Sequence, residues 1–176
     1  MNNTINDLLT RRSIRKYTDE PVSEDELNAV LEAGLYAASG SGKQNSILVV
    51  VQDPETLQQL ERLNASVVGR DPETVHNFYG AKTVIIVLDK KESSNRQYDG
   101  ALVMGNLMNA AHALGLGTCW INRARETFDT EEGKALLKKW GIEGEYEGVG
   151  NCIIGHIAGE YPEAAPRKEN RIYRIR

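Results

Sequence analysis

Between Gly100 and Leu114 the chain reads as a helix without a polar face. Ala101, Leu102, Val103, Met104, Leu107, Met108, Ala110, Ala111, Ala113 and Leu114 cover nearly its whole circumference. A helix of that kind needs burial on every side. The 176 residues, 40% of them hydrophobic, suit one globular domain with a single core. In so small a domain the simplest way to cover every face is to pack part of the helix against a second copy, with Gly105 and Ala111 permitting close approach. A homodimer is therefore expected.

The other elements follow from local signals. Ser23 and Glu26 form a capping box, and Leu27, Val30, Leu31 and Leu35 then recur at helical spacing. A strand is expected over Ile47 to Gln52. Asp53 then caps a helix begun by Pro54, which carries Leu57, Leu60 and Leu63 and ends near Asn64. A looser stretch, Ser66 to Gly80, leads to a buried-type strand, Thr83 to Leu88. Asp129 with Glu132 signals a helix through Leu136, Leu137 and Trp140 that Gly141 stops, and a strand over Asn151 to Ala158 follows. The tail, Gly159 to Arg176, contains Pro162 and Pro166. It ends in the alternating Arg171 to Ile175, which fits an edge strand reaching onto a neighbour. Residues 1–176 thus read as a single α+β domain around a small sheet.

Charge and composition narrow the function. A formal net charge of -4 argues against a general nucleic-acid binder, yet Arg11, Arg12, Arg15 and Lys16 crowd the start and Arg167, Lys168, Arg171, Arg174 and Arg176 the tail. Local patches in an acidic chain suit a small anion better than a polynucleotide. No apolar run approaches the roughly 20 residues of a membrane span, and the polar start lacks a signal-peptide core, so a soluble, cytoplasmic protein is expected. Cys119 and Cys152 form no C-x-x-C pair and are expected reduced and buried. His76, His112 and His156 lack ligand spacing, so no metal site is expected.

The stretch "ASGSGKQN", Ala38 to Asn45, looks like a phosphate-binding P-loop but fails as one. Ala37 stands where the first glycine belongs, Gln44 where the magnesium-binding hydroxyl belongs, and the loop runs from helix to strand rather than strand to helix. Gly115-Leu116-Gly117 follows a helix and lacks the third glycine of a dinucleotide fold. "RRSIRKY", Arg11 to Tyr17, gathers three guanidinium groups and a hydroxyl. Arginine forks make charge-assisted bonds to a phosphate dianion, though a solvated basic helix end also accounts for this motif.

Taken together, "RRSIRKY", the small-residue loop ending in Gln44, "LNA" at Leu63 to Ala65, "LGLGTCWINRA" from Leu114 and "PRK" at Pro166 to Lys168 resemble the nitroreductase family of FMN-dependent oxidoreductases. The resemblance covers nearly the whole chain, and the Gly100 to Leu114 helix falls where that family keeps its central dimer helix. It implies a three-layer α+β fold with a small mixed central sheet flanked by helices, and a C-terminal arm exchanged in a homodimer. It also implies FMN as cofactor, NAD(P)H as reductant, and active sites at the subunit interface.

Residue by residue, the resemblance assigns Arg11 and Ser13, with Arg12 beside them, to the FMN phosphate and ribityl end, and Arg15 and Asn64 to the pyrimidine edge. Arg167 and Lys168 look like C-terminal phosphate ligands. Ser39, Gly40, Ser41 and Gln44 resemble the loop that comes from the partner and lies over the cofactor; an ordinary flexible loop with a solvated Lys43 is the alternative. Cys119, Trp120, Ile121 and Asn122 resemble the segment under the isoalloxazine, with the Asn122 backbone near N5. For Trp120 and Ile121 plain core packing is the competing role. No side chain is assigned as catalytic, since the flavin N5 carries the chemistry. Val67, His76, Phe78 and Tyr79 could border the acceptor pocket, with core packing again the alternative. Ala38, Ser46 and Val67 depart from family residues, the last leaving Arg15 as the main expected cation near N1.

The implied activity is transfer of hydride and electrons from NAD(P)H to a nitroaromatic, quinone or similar small electron-poor acceptor by a ping-pong mechanism. A binding class remains beside it: an FMN carrier or sensor without significant turnover.

Overall fold

A run such as TVIIVLDK has no polar face to offer solvent, so it must be a central strand covered on both sides. The computed structural model describes residues 2–71 and 73–176. Among these, the helices are α1 (Asn3–Thr10), α2 (Glu24–Leu35), α3 (Pro54–Ser66), α4 (Arg96–Ala113), α5 (Ala124–Asp129) and α6 (Glu131–Lys139). The strands are β1 (Ile47–Val51), β2 (Thr83–Lys90), β3 (Leu116–Ile121) and β4 (Tyr146–His156). They form one sheet in the order β1-β2-β4-β3, with every strand pair antiparallel. The mixed character expected of the sheet is confined to one isolated parallel bridge, Ser13 with Thr118, at the free edge of β3.

Strand periodicity divides the core into two layers. From β2, Val84, Ile86 and Leu88 enter a cluster with Leu60 and Leu63 of α3, Phe128 of α5 and Leu136 of α6. Ile85 and Val87 enter the opposite cluster with Val30 of α2 and Met104, Leu107 and Ala111 of α4. The result is helices, sheet, helices: three layers around two apolar seams.

Local signals explain most boundaries. The Ser23–Glu26 capping box forms in both directions, and the Asp53 carboxylate accepts from the Thr56 N–H at 2.9 Å to start α3. α3 continues two residues past Asn64. At α6 the expected cap is displaced by one residue. The Thr130 hydroxyl accepts from Gly133 N–H at 2.9 Å, while Asp129 ends α5 and pairs with Lys91 at 2.9 Å. Within the single chain Arg171 to Ile175 forms no strand, and Ile172, Tyr173 and Ile175 are 78%, 81% and 94% exposed. An edge strand needs a neighbour to pair with, and within one chain this segment reaches none.

α4 presses onto the sheet and α2 through small residues. A Cβ on Gly34 of α2 would sit 2.6 Å from Leu107 Cδ2, and one on Gly100 would sit 2.5 Å from a Val149 methyl. On its outer side Leu102 is half exposed and a Cβ on Gly105 would touch nothing within 4 Å, so a single chain leaves that stripe uncovered. No helix among the described residues is long and apolar enough to cross a membrane.

β4 also meets the start of α5 backbone to backbone: a Cβ on Gly148 would lie 2.3 Å from the Ala124 carbonyl. Because neither backbone can swing aside, Gly148→Ala is expected to lower stability by about 1–3 kcal/mol in urea unfolding. Leu107→Ala, which empties a fully buried site between α4 and α2, is expected to cost about 2–5 kcal/mol in the same measurement.

Candidate functional site

The segment after α1 is strapped across the free edge of β3. Ile14 N–H donates to Thr118 O at 2.9 Å, Thr18 N–H to His156 O at 2.9 Å, and Ala158 N–H to Lys16 O at 3.0 Å. Close packing holds it there: Gly117 leaves room for Ile14 and Gly155 for the Tyr17 ring, since a Cβ on either would lie 2.8 Å from its neighbour. Tyr17 donates to Ile14 O at 2.7 Å, and burial pushes its phenol well above the usual range, so it stays neutral.

This strap fixes a turn of arginines. Arg12 Nη1 donates to Leu9 O at 3.0 Å and Arg11 O at 2.7 Å. Arg11 Nη1 and Arg12 Nε are buried without any partner. A buried guanidinium N–H left unpaired costs free energy that an anion's oxygens can recover, so these orphan donors fit a phosphate. Ser13, paired to Thr118 through its backbone, stands next to them. Beyond it opens a cleft of about 720 Å³ lined by Ser13, Arg15, Lys16, Tyr79, Gly159 and Pro162, among others. Arg15 is exposed, its Cζ 5.9 Å from the centre of the Tyr79 ring, and Tyr79 is held at a left-handed φ of 52°.

Asn64 is buried at the end of α3 with its amide engaged at both ends. It donates to the Asn122 carbonyl at 2.8 Å and accepts from Asn77 Nδ2 at 2.9 Å. It thus ties the backbone after β3 to the Ser66–Gly80 stretch. Asn122 is exposed, and the next residue, Arg123, adopts φ 77° to open α5. Its guanidinium pairs with Glu126 at 2.7 Å.

The side chains of "TCWI" alternate as a strand requires. Cys119 and Ile121 pack into the α3/α5/α6 seam. Trp120 packs on the other, with its indole against Gly150 and Met104. Cys119, expected beneath a ring, is buried in the core, while Trp120 packs against the opposite cluster and stays partly buried. Cys152, on the neighbouring strand, is fully buried with its thiol pushed up to about 12 by desolvation, and both cysteines are free.

The Ser39–Gln44 loop is built by left-handed turns at Ser41 (φ 56°), Gly42 (φ 65°) and Gln44 (φ 50°). Gly40 N–H donates to both oxygens of Asp99 at 3.0 and 3.1 Å, and Gln44 N–H to Ser39 Oγ at 3.0 Å. Below it Ser46 donates to Asp89 at 2.5 Å, and burial raises that carboxyl above its ordinary range. Asp99 lies in the first turn of α4 and His112 in its last. At about 1.5 Å per residue these anchors are roughly 20 Å apart, so the loop and the arginine turn of one chain stand at opposite ends of the helix.

The remaining expected residues disperse. Arg167 bonds the Ala165 carbonyl at 2.7 Å, and it and Lys168 stay exposed in the tail without a hydrogen bond to the arginine turn. His76 is exposed, 3.5 Å from Glu61. Phe78, only 4% exposed, packs in the core and lines a separate pocket of about 330 Å³ with Leu57 and Glu61, while Val67 caps α3 half buried. Of the four residues expected beside the acceptor, Tyr79 alone lines the 720 Å³ cleft. The described residues contain no cluster of three or more His, Cys, Asp or Glu able to hold a metal. Sequence reasoning missed Asp99 and Tyr161. Neither carries a local signal, for each acts on backbone far away in the chain.

Comparison with known proteins agrees with this geometry. An FMN reductase [NAD(P)H] of Bacillus subtilis is 32% identical over 139 residues, covering 71% of this chain and 56% of the relative. An FMN reductase (NADPH) of the same organism is 26% identical, with 57% of its length covered, so the chain spans a little over half of these curated relatives. A nitroreductase with bound FMN from Bacteroides fragilis superposes with a TM-score of 0.92 at 28% identity, each chain covered completely. An FMN-dependent nitroreductase from Clostridium difficile gives 0.87 at 28% identity over 99% of both. The family model described as Nitroreductase family matches residues 8–156, from the last turn of α1 to the end of β4 and with it the arginine turn, Asn64 and Asn122, and the chain belongs to that family.

Proposed function

We propose that this protein is an FMN-dependent oxidoreductase that takes electrons from NAD(P)H and passes them to a small electron-poor acceptor such as a nitroaromatic or a quinone. The observation that carries the reading is the pair of buried, partnerless arginine donors, Arg11 Nη1 and Arg12 Nε, on a turn fixed beside an open cleft. When bound, FMN supplies a ring that accepts hydride at N5 and releases electrons to the next substrate.

The chain's own groups bind and orient. Arg11 and Arg12, with Ser13, hold the phosphate end by charge-assisted hydrogen bonds. Arg15, free to turn from Tyr79, brings positive charge to the pyrimidine edge, where it stabilises the reduced form. Asn64 works through its bond to the Asn122 carbonyl, holding the Asn122 backbone at the N5 side. The cleft beside Tyr79 admits reductant and acceptor in turn, which suits ping-pong turnover at one face.

The second half of the site is expected from a partner. The Ser39–Gln44 loop lies too far from its own arginine turn to share one cofactor with it. The exposed Ile5, Leu8 and Leu9 of α1, Leu102 of α4, and Ile172, Tyr173 and Ile175 of the tail offer surface for a second copy. In a homodimer the tail's Arg167 and Lys168 reach the partner's cofactor, and the protein works in the cytoplasm.

Three measurements test this. Purified protein is expected to be yellow and to release FMN on denaturation; anaerobic NADPH or NADH should bleach it and a quinone restore the colour. Bleaching by neither reductant would leave an FMN carrier. The Arg11→Ala/Ser13→Ala variant is expected to weaken FMN binding roughly 10- to 100-fold while leaving a folded protein, as judged by fluorescence titration and circular dichroism. On dilution FMN should dissociate as dimers separate in sedimentation, and a flavin-loaded monomer would contradict the shared site.

A further inference from the structure

The arginine turn is gripped from behind by a network outside the cofactor site described above. Arg12 N–H donates to the Tyr161 hydroxyl at 3.0 Å, and that hydroxyl stands 3.1 Å from Thr10 O and 3.2 Å from His112 Nδ1. His112 Nε2 lies 2.9 Å from Thr10 Oγ1, which itself donates to Asn6 O at 2.8 Å. The His112 and Tyr161 rings are 5.9 Å apart. One cluster therefore joins the end of α1, the end of α4 and the root of the C-terminal tail.

Counting protons decides how it works. The one hydroxyl proton of Thr10 has two acceptors in reach, Asn6 O and His112 Nε2, and where it goes to Asn6 the ring must donate from Nε2. The one hydroxyl proton of Tyr161 has two acceptors in reach. A neutral His112 leaves one acceptor unsupplied: with its hydrogen on Nε2, Nδ1 takes the Tyr161 proton and the Thr10 carbonyl loses it; with its hydrogen on Nδ1, Nε2 takes the Thr10 proton and the Asn6 carbonyl loses it. If His112 is an imidazolium, Nδ1–H donates to Tyr161, whose own proton is then free for Thr10 O. Only the charged form satisfies every contact while Arg12 N–H still donates to the same oxygen.

The charged groups around the ring set the balance. Asp7 of α1 favours the imidazolium; Arg11 and Arg12 of the turn oppose it. With burial as the largest cause, the free protein holds His112 below its ordinary value. A dianion bound by Arg11 and Arg12 offsets their repulsion. Resting on the FMN reading above, we propose that His112 and Tyr161 are positioning residues forming a proton-linked clamp, so that binding the FMN phosphate and protonating His112 favour each other.

The direct test follows the imidazole signals of the three histidines by NMR across pH, with and without FMN. The His112 midpoint is expected to rise by roughly one unit on loading, equivalent to about a tenfold linkage. An unchanged midpoint overturns the proposal. In parallel, FMN dissociation constants are measured by fluorescence from about pH 8 to about pH 5.5 for wild type, His112→Gln and Tyr161→Phe. The FMN phosphate gains its own proton near pH of about 6 in all three, weakening binding as pH falls. Wild type is expected to resist that loss by roughly fivefold relative to both variants. Parallel pH profiles in wild type and His112→Gln overturn the clamp while leaving FMN binding intact. Failure of the wild type to bind FMN at any pH overturns the functional reading itself, and the coupling with it.

Discussion

The burial of α4 is the constraint from which the rest of the molecule follows. Val103, Met104, Leu107 and Ala111 press its inner face onto the sheet, with Gly34, Gly100 and Gly150 allowing α2, β4 and the Trp120 indole to close around it. Such a packed helix is rigid, and it carries functional groups at both ends. Asp99, in its first turn, complements the positive end of the helix dipole and pins Gly40; His112, in its last turn, stands where a cation is favoured. The length of the helix keeps the Ser39–Gln44 loop and the arginine turn apart within one chain. Its outer stripe around Leu102 and Gly105 stays uncovered in the single chain.

The two ends of the fold handle buried charge differently. Near the loop, Glu147 is buried between Arg96 at 3.1 Å and Arg125 at 3.8 Å, so that the charges answer one another. Arg96 Nε makes no hydrogen bond there but faces a carboxylate, whereas at the strap Arg11 Nη1 and Arg12 Nε have, among the described residues, neither a hydrogen-bond partner nor a carboxylate within ion-pair distance. A buried N–H left unpaired costs about 1–3 kcal/mol, and a fold tolerates it where a ligand supplies the missing partner.

Much of the fold could be read directly. Capping by Ser23 and Asp53, the apolar runs of β1 and β2, and the faceless α4 are short-range patterns whose physics acts within a few residues. α1 and α5 were missed because each is short. The α6 cap slipped by one residue because Asp129 and Thr130 are both able caps, and Asp129 is drawn to Lys91. The site was legible as a set of segments, since "RRSIRKY" and "TCWIN" each announce an unusual local demand. It was not legible side chain by side chain. Cys119 and Phe78 pack into a core that exists only once the sheet is covered, and Asn64 spends its amide on Asn122 and Asn77.

By itself the sequence determined an α+β domain around a small sheet, the faceless helix at its centre and the gathering of arginines at the chain's start, because helical and strand periods and charge are properties of neighbouring residues. Only the tertiary structure decided that two of those arginines keep unpaired buried donors, that Tyr161 reaches back over 149 residues to hold Arg12, and that the glycine loop stands at the far end of α4. Burial and long-range hydrogen bonds depend on which segments meet in space, and that is set by closing the whole core at once.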